Sequence, residues 1–245
     1  HTHSVYSDGT ATPAQLLQMA AERGITGFSL TDHDTIDGVR EAMQYGRELG
    51  IPVISGLEIS AVHRHHSVHI LGYGIDQEHQ GLRNWLARLQ AGRIERNRKI
   101  LEKLATLGII ITEQELEQVS GCGQTGRPHI ARLMKEKGYV SNSRQAFRQY
   151  LGRNKAAWCS RSTCSASEAI AVLHQAGGLA VLAHPGILDK GMTVQPGLIR
   201  ELADRGLDGL EVFYPAHSSR IKKRLQILAE KYNLLCTGGS DYHDD

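Results

Sequence analysis

The chain has 245 residues, 28 Lys and Arg against 26 Asp and Glu, and 40% hydrophobic residues. This is an ordinary globular composition, sized for one large domain or one domain carrying an insert, and it excludes a disulfide-stapled miniprotein, a fibre or a disordered chain. No apolar run approaches the roughly 18 residues of a membrane span and no signal-peptide pattern is visible, so no membrane association is expected. Cys122, Cys159, Cys164 and Cys236 form no C-x-x-C pair, which predicts reduced thiols in a cytoplasmic protein rather than disulfides or a thiolate zinc site. Two features stand out. There are 13 His but only 3 Phe and 2 Trp, an excess that a core does not need and a metal site would use. Charge is also uneven: residues 83–161 hold 16 basic and 6 acidic side chains, so the near-neutral total conceals a basic segment on an acidic scaffold.

In chain order, a first strand is expected at or before His1. Thr12 followed by Pro13 reads as an N-cap with proline at the first helical position, opening a helix to about Arg23 that stops at Gly24. Ile25 to Leu30 reads as a buried strand, Ile36 to Leu49 as a helix ending at Gly50, Ile51 to Ile54 as a strand and Val68 to Tyr73 as another. The rhythm then breaks. Leu82, Trp85, Leu86 and Leu89, continuing through Ile94, Ile100, Leu101 and Leu104 to Gly108, predict one long amphipathic helix, with Gly92 as its weak point. Thr112 and Glu115 form a capping box for a second helix, and shorter helices follow at Pro128 to Lys137 and Ser143 to Tyr150. After this segment come a helix at Ala166 to Gln175, a strand at Leu179 to Ala183, a helix near Gly197 to Arg205, a strand at Gly209 to Phe213, a helix at Ser218 to Tyr232 and a strand at Leu234 to Thr237. Seven strands in a repeating βα order imply a parallel sheet, either a barrel or a doubly wound sheet. Residues 80–164 read as a helical insert between the two parts, 1–79 and 165–245, of one α/β domain.

The polar residues gather where such folds place their chemistry, at the carboxyl ends of strands. His1 and His3, two apart on a strand, face one side. Asp8 follows in a loop. Thr31-Asp32-His33-Asp34 follows the second strand, Glu58 the third and His184 the strand at 179–183. Asp241 and His243 follow the last strand, and His69 lies at an end of the fourth. Each alone is an ordinary loop polar group. Together they form a set of His, Asp and Glu suited to borderline or hard divalent cations.

These residues resemble the polymerase and histidinol phosphatase (PHP) metal-dependent phosphoesterases over nearly the whole chain: His1-x-His3, Ser7-Asp8-Gly9, Thr31 to Asp34, Gly56-x-Glu58, His69, His184-Pro185 and Ser240-Asp241-x-His243 occur in the family's order. The branch most similar is that of nucleotide 3',5'-bisphosphate phosphatases and RNA 5'-end-trimming exoribonucleases, on Arg96-Asn97, Thr125 to Ile130, Ala176-Gly177-Gly178 and Tyr214 to His217. The resemblance implies a distorted seven-stranded β/α barrel with an inserted helical domain, and two or three divalent ions, manganese foremost with iron or zinc as alternatives. His1, His3, Glu58 and Asp241 would hold one ion. Asp8, His33 and His243 would hold a second, although some relatives carry His where Asp8 stands. His69 and His184, with Glu58 bridging, would hold the third.

The expected activity is hydrolysis of a phosphate from a 3',5'-bisphosphorylated nucleotide, trimming of an RNA 5' end, or both, by attack of a metal-bridging hydroxide without a covalent intermediate. Glu58 and Asp241 are the expected catalytic carboxylates, and His217 or metal-bound water the donor of the leaving-group proton. Arg93, Asn97, Arg127 and His129 of the basic insert are the expected substrate contacts, Arg127 because it starts a helix where anions bind. The substrate is the only partner expected; no stable protein partner is. Two other readings are a metal- and nucleic-acid-binding accessory module without turnover, and a histidinol-phosphate-type phosphatase on the same cluster. The complete ligand set argues against the first, and the basic insert, suited to a polyanion, against the second. His63, His65, His66, His79 and His174 are read as outside the site, Asp32 and Asp34 as residues orienting His33, Lys222-Lys223-Arg224 as a solvated helix face, and Trp85 and Trp158 as packing residues.

Overall fold

The computed structural model describes residues 1–120, 124–160 and 163–244; Cys122, Arg161 and Asp245 lie outside them. The fold is mixed α/β around a six-stranded sheet. Helices α1 (Pro13–Glu22) and α2 (Val39–Leu49) come first. Thr12 accepts the Gln15 amide and Gln15 returns the bond, a full capping box. Gly50 ends α2 at φ 70°, a left-handed turn that glycine adopts without steric cost.

Strands β1 (Gly56–His63) and β2 (His66–Tyr73) then form an antiparallel hairpin. This corrects the expected all-parallel order: β2 also pairs antiparallel with β4 (Leu179–Leu182), and only the pairings of β1 with β3 (Cys164–Ser165), β4 with β5 (Gly209–Phe213) and β5 with β6 (Leu235–Gly238) are parallel. Segments 25–30 and 51–54 are not strands of a ladder. They meet in one bridge, Phe28 with Val53, and two further isolated parallel bridges join Thr2 to Tyr242 and His33 to Glu58. Backbone bonds complete the seam: Thr31 N–H donates to Thr2, Asp34 N–H to Glu58, His3 N–H to Tyr242 and Asp241 N–H to His1, all at 2.8–3.0 Å. Segments from both ends of the sequence therefore lie side by side.

Helix α3 (Gln80–Thr106) is continuous through Gly92, and at 27 residues spans about 40 Å. Its buried face changes character along its length. Leu82, Leu86 and Leu89 join the core under the sheet, with α7 (Ala166–Gln175), α8 (Gln195–Ala203) and α9 (Ser219–Lys231). Ile100, Leu101 and Leu104 join a second core with α4 (Glu113–Ser120), α5 (Arg127–Glu136) and α6 (Ser143–Ala146), which runs on into a π-helical turn at Phe147–Leu151. Between the two lie Arg93, Arg96 and Asn97, buried although polar. Each buried leucine contributes about 1.5–3 kcal/mol, so two apolar anchors hold a polar middle in place. Trp85 packs against the sheet core.

Candidate metal centre

The hairpin and the seam bring nine side chains to one place. His1 and His3 come from the first segment, Asp8 from the loop behind it, and His33 from the bridge to β1. Glu58 lies on β1 itself rather than after a strand, and His69 lies within β2, opposite Ser60. His184 follows β4, and Asp241 and His243 follow β6. Gly239 allows this closeness, because a Cβ there would sit 2.2 Å from the His1 Cβ and 2.6 Å from a Glu211 carboxylate oxygen.

Three sets of ligand atoms converge, each within 4.8 Å of one another: His1, His3, Glu58 and Asp241; His3, Asp8, His33 and His243; and His33, Glu58 and His69. Glu58, fully buried, lies at the middle. Its Oε1 is 2.9 Å from His69 Nδ1, 3.2 Å from His184 Nε2 and 3.3 Å from His1 Nε2, and its Oε2 is 2.9 Å from His33 Nδ1. His3 serves two sets, with Nε2 3.1 Å from Asp241 and Nδ1 3.8 Å from Asp8. His243 Nε2 is 3.3 Å from Asp8.

A divalent cation fits this arrangement. His184 Nδ1 is buried with no hydrogen-bond partner, Asp8 Oδ1 and Glu58 Oε2 meet His243 Nε2 and His33 Nδ1 at 3.3 and 2.9 Å without the alignment of a hydrogen bond, and the Nε2 atoms of His1 and His3 face each other at 3.3 Å. Lone pairs so convergent and so poorly satisfied are costly unless positive charge lies among them. The electrostatics agree. Burial opposes ionisation of Glu58, but His69, His33 and His1 hold its pKa well below the usual carboxylate range. Burial likewise opposes ionisation of Asp8 and Asp241; His33 and His243 keep Asp8 low, and the His3 hydrogen bond with the His1 charge keeps Asp241 at about 2. Burial and the nearby His33 push His3 down to about 4, so its ring is neutral and offers lone pairs. His1 and His33 are the reverse. Burial disfavours their charge, yet Glu58 with Glu211 raises His1 to about 11 and Glu58 with Asp8 raises His33 to about 9. Positive charge is favoured where those two rings stand.

The surrounding side chains hold the set rigid. Asp32 accepts from Ser4 N–H and Ser4 Oγ at 2.7 Å and from Ser7 Oγ at 2.6 Å, so it braces the loop carrying Asp8. Asp34 accepts from Ser60 N–H and from Arg93. Asp34, His184 and Asp241 all have positive φ, at 53°, 29° and 53°, strain of the kind that sites retain when their surroundings enforce it.

Glu211 has no place in the sequence reading. Buried on β5, it receives His1 Nδ1–H on Oε1 at 2.9 Å and the His184 N–H on Oε2 at 2.7 Å. Its only signal is a lone acidic residue inside the apolar run Gly209 to Phe213. Tyr214 OH donates to Asp241 at 3.1 Å.

His217 does not fit the part of proton donor. Its Nδ1–H meets the Val212 carbonyl at 3.0 Å and its Nε2 accepts the Gly186 N–H at 3.0 Å, so both ring nitrogens serve the backbone. Of the expected substrate contacts, Arg93 donates to Asp34 beside the cluster, and Asn97 accepts from Arg96 and donates to Thr125. His129 accepts the Gly126 N–H at 3.1 Å and feels the charge of Asp8. Arg127 instead lies over the Phe147 ring and donates to the Leu151 carbonyl, contacts within the helical segment. His79 caps α3, His174 pairs with Asp208 and His63 with Glu201, all outside the cluster.

The PHP domain family matches residues 1–157. The chain belongs to that family. Over 99% of its length it is 34% identical to a 3',5'-nucleoside bisphosphate phosphatase of Chromobacterium violaceum, covering 86% of that protein. Also over 99% of its length, it is 34% identical to the 5'-3' exoribonuclease Rnm of Salmonella typhimurium, covering 84% of it, and 35% identical to a phosphoribosyl 1,2-cyclic phosphate 1,2-diphosphodiesterase of Eggerthella lenta, covering 92% of it. A crystal structure from Bifidobacterium adolescentis, classed as a metal-dependent phosphoesterase, superposes with a TM-score of 0.91 at 32% identity over 99% of this chain and 86% of that one. No helix among the described residues is long and apolar enough to cross a membrane.

Proposed function

We propose that this PHP domain is a metal-dependent phosphoesterase that hydrolyses a phosphate from 3',5'-bisphosphorylated nucleotides, trims RNA 5' ends, or both. The observation that carries the reading is the convergence of three ligand sets, two of which share the buried carboxylate Glu58 while the other joins them through His3 and His33. Relatives that are a phosphatase, an exoribonuclease and a phosphodiesterase favour turnover over an accessory binding module.

His1, His3, Glu58 and Asp241 would hold one ion, Asp8, His33 and His243 a second, and Glu58, His69 and His184 a third. Manganese is the proposed metal, since the donors are imidazole and carboxylate without thiolate. Bound there, divalent ions supply Lewis acidity that stabilises charge on the phosphoryl oxygens. The chain's own residues do the rest. Ionised Glu58, Asp8 and Asp241 and the neutral His3 keep the ligand atoms unprotonated at neutral pH. Tyr214 orients Asp241, and Glu211 orients His1 and His184. His217 holds the turn after His184 through the Gly186 amide and acts as a positioning residue. Arg93 and His129, close to Asp34 and Asp8, face the side from which a nucleotide would approach.

We read residues 1–79 and 165–245 as a distorted barrel, closed by the bridges at Thr2, His33 and Glu58, and residues 80–164 as a helical insert with its own core. Among the described cysteines, Cys159 and Cys236 are free thiols and Cys164 Sγ donates to the Ser60 carbonyl at 3.6 Å, which fits a reducing, cytoplasmic setting.

Purified protein loaded with manganese should release phosphate from adenosine 3',5'-bisphosphate or nucleotides from a short 5'-phosphorylated RNA. Histidinol phosphate and phosphoribosyl 1,2-cyclic phosphate serve as competing substrates. Turnover confined to either of those two would overturn the nucleotide reading while leaving the phosphoesterase intact.

A further inference from the structure

A cavity of about 230 Å³ lies between α3 and α4, with Gln90, Arg93 and Gln124, all bonded to Asp34, in its lining. Its wall is stitched to the metal centre. Arg93 donates to the Asp34 carboxylate, and Gln90 and Gln124 both donate to the Asp34 carbonyl, at 3.2 and 2.9 Å, one residue after His33. A group bound in the cavity is thereby held against the same backbone that carries a cluster histidine.

The lining selects the chemistry of that group. Ile94, Leu101 and Leu116 supply apolar surface, and Ile94 is 63% exposed, an apolar side chain left open at the cavity wall. Both arginines present carry a carboxylate partner, Arg93 with Asp34 and Arg98 with Glu95 at 2.9 Å, with the buried Arg93 Nε left unpartnered, while Glu113 and Glu117 add negative charge. A second phosphate would meet paired arginines beside two glutamates. A flat, uncharged group with apolar faces and a hydrogen-bonding edge suits it better. Gln124 has such an edge to offer: its Nε2 is engaged by Asp34, which fixes the amide, and its buried Oε1 has no partner. The volume is below the roughly 300–1,000 Å³ of pockets for drug-sized ligands, so it suits one ring system rather than a whole nucleotide.

We propose that this cavity binds the nucleobase of the substrate and that Ile94 forms an apolar wall against the base. The inference rests on the nucleotide phosphoesterase reading and adds to it a base-binding subsite on the helical segment.

The test compares adenosine 3',5'-bisphosphate with its abasic tetrahydrofuran counterpart, using the manganese-loaded full chain. Burying about 60–100 Å² of base and side chain contributes about 1.5–2.5 kcal/mol, so KM should be about tenfold or more higher for the abasic compound. Ile94→Asp should raise KM for the adenosine compound by about the same factor, leaving its kcat and the abasic KM unchanged. Because Ile94 is largely exposed, the variant should keep its thermal midpoint. Saturation-transfer NMR on the chelated protein, with adenosine 3'-monophosphate as probe, should show transfer to the adenine protons that Ile94→Asp abolishes. Equal KM values for both compounds, or unchanged transfer in the variant, would overturn the subsite while hydrolysis persists. Absence of hydrolysis of any nucleotide would overturn the parent reading instead, and the NMR experiment would still decide the subsite.

Discussion

Replacing Glu211 by Gln changes one atom and forces a choice between two buried donors. The carboxylate accepts from both sides, His1 Nδ1–H on Oε1 at 2.9 Å and the His184 amide on Oε2 at 2.7 Å. A carboxamide has one oxygen. If that oxygen keeps the His184 amide, the NH2 group points at His1 and the ring must present a bare Nδ1, moving its proton to Nε2, the atom 3.3 Å from Glu58. If it keeps His1, the His184 N–H faces an N–H and loses its partner in a residue already at φ 29°. A buried donor left unsatisfied costs about 1–3 kcal/mol. Carboxylates behind a ligating histidine are worth about 10–100-fold in metal affinity, roughly 1.4–2.7 kcal/mol. Titration of manganese against a chelator indicator should therefore show Glu211→Gln binding about 10–100-fold more weakly with a native circular dichroism spectrum. Affinity within twofold of the parent in a folded variant would refute the idea that Glu211 sets the His1 tautomer.

Glu58→Gln should remove most bound metal and activity together, because it strips the shared anion from all its imidazole neighbours; elemental analysis beside a phosphate-release assay checks this, and full activity would remove Glu58 as the centre of the site. Chelation should lower thermal stability: metal present at 100 times its Kd contributes about 2.7 kcal/mol, about 5–10 °C for a chain of this size, as differential scanning fluorimetry with and without EDTA would show. His129 supplies a pH signature. Burial lowers its pKa to about 4 in the folded chain, so between about 6.5 and 4 the unfolded chain binds a proton that the folded chain does not. Its contribution is present above about pH 6.5 and is lost as pH falls towards 4, up to about 3 kcal/mol. Urea unfolding of chelated protein should show this acid limb flattened in His129→Gln.

Much of the architecture is legible in local chemistry. Thr12-Pro13, Gly50 and the Thr112–Glu115 capping box mark helix ends that the structure reproduces, since a cap is settled within four residues. Arg93 and Asn97 read as substrate contacts on one amphipathic helix, yet with Arg96 they are buried. Their burial depends on two cores that α3 bridges, which no helical period reveals. The hairpin of β1 and β2 escaped for a related reason: its eight-residue strands are defined by their pairing, and the short apolar run before Glu58 looked like the strand while the true strand began at Gly56.

The sequence by itself determined which imidazoles and carboxylates the fold gathers at one centre, through their order along the chain and its resemblance to the PHP family. Only the tertiary structure decided how they act. It placed Glu58 in the sheet rather than after it, supplied Glu211 behind His1, turned both nitrogens of His217 to the backbone and sent Arg127 to Phe147. Hydrogen bonds between residues up to 240 positions apart depend on where the chain closes on itself, and no local pattern encodes that closure.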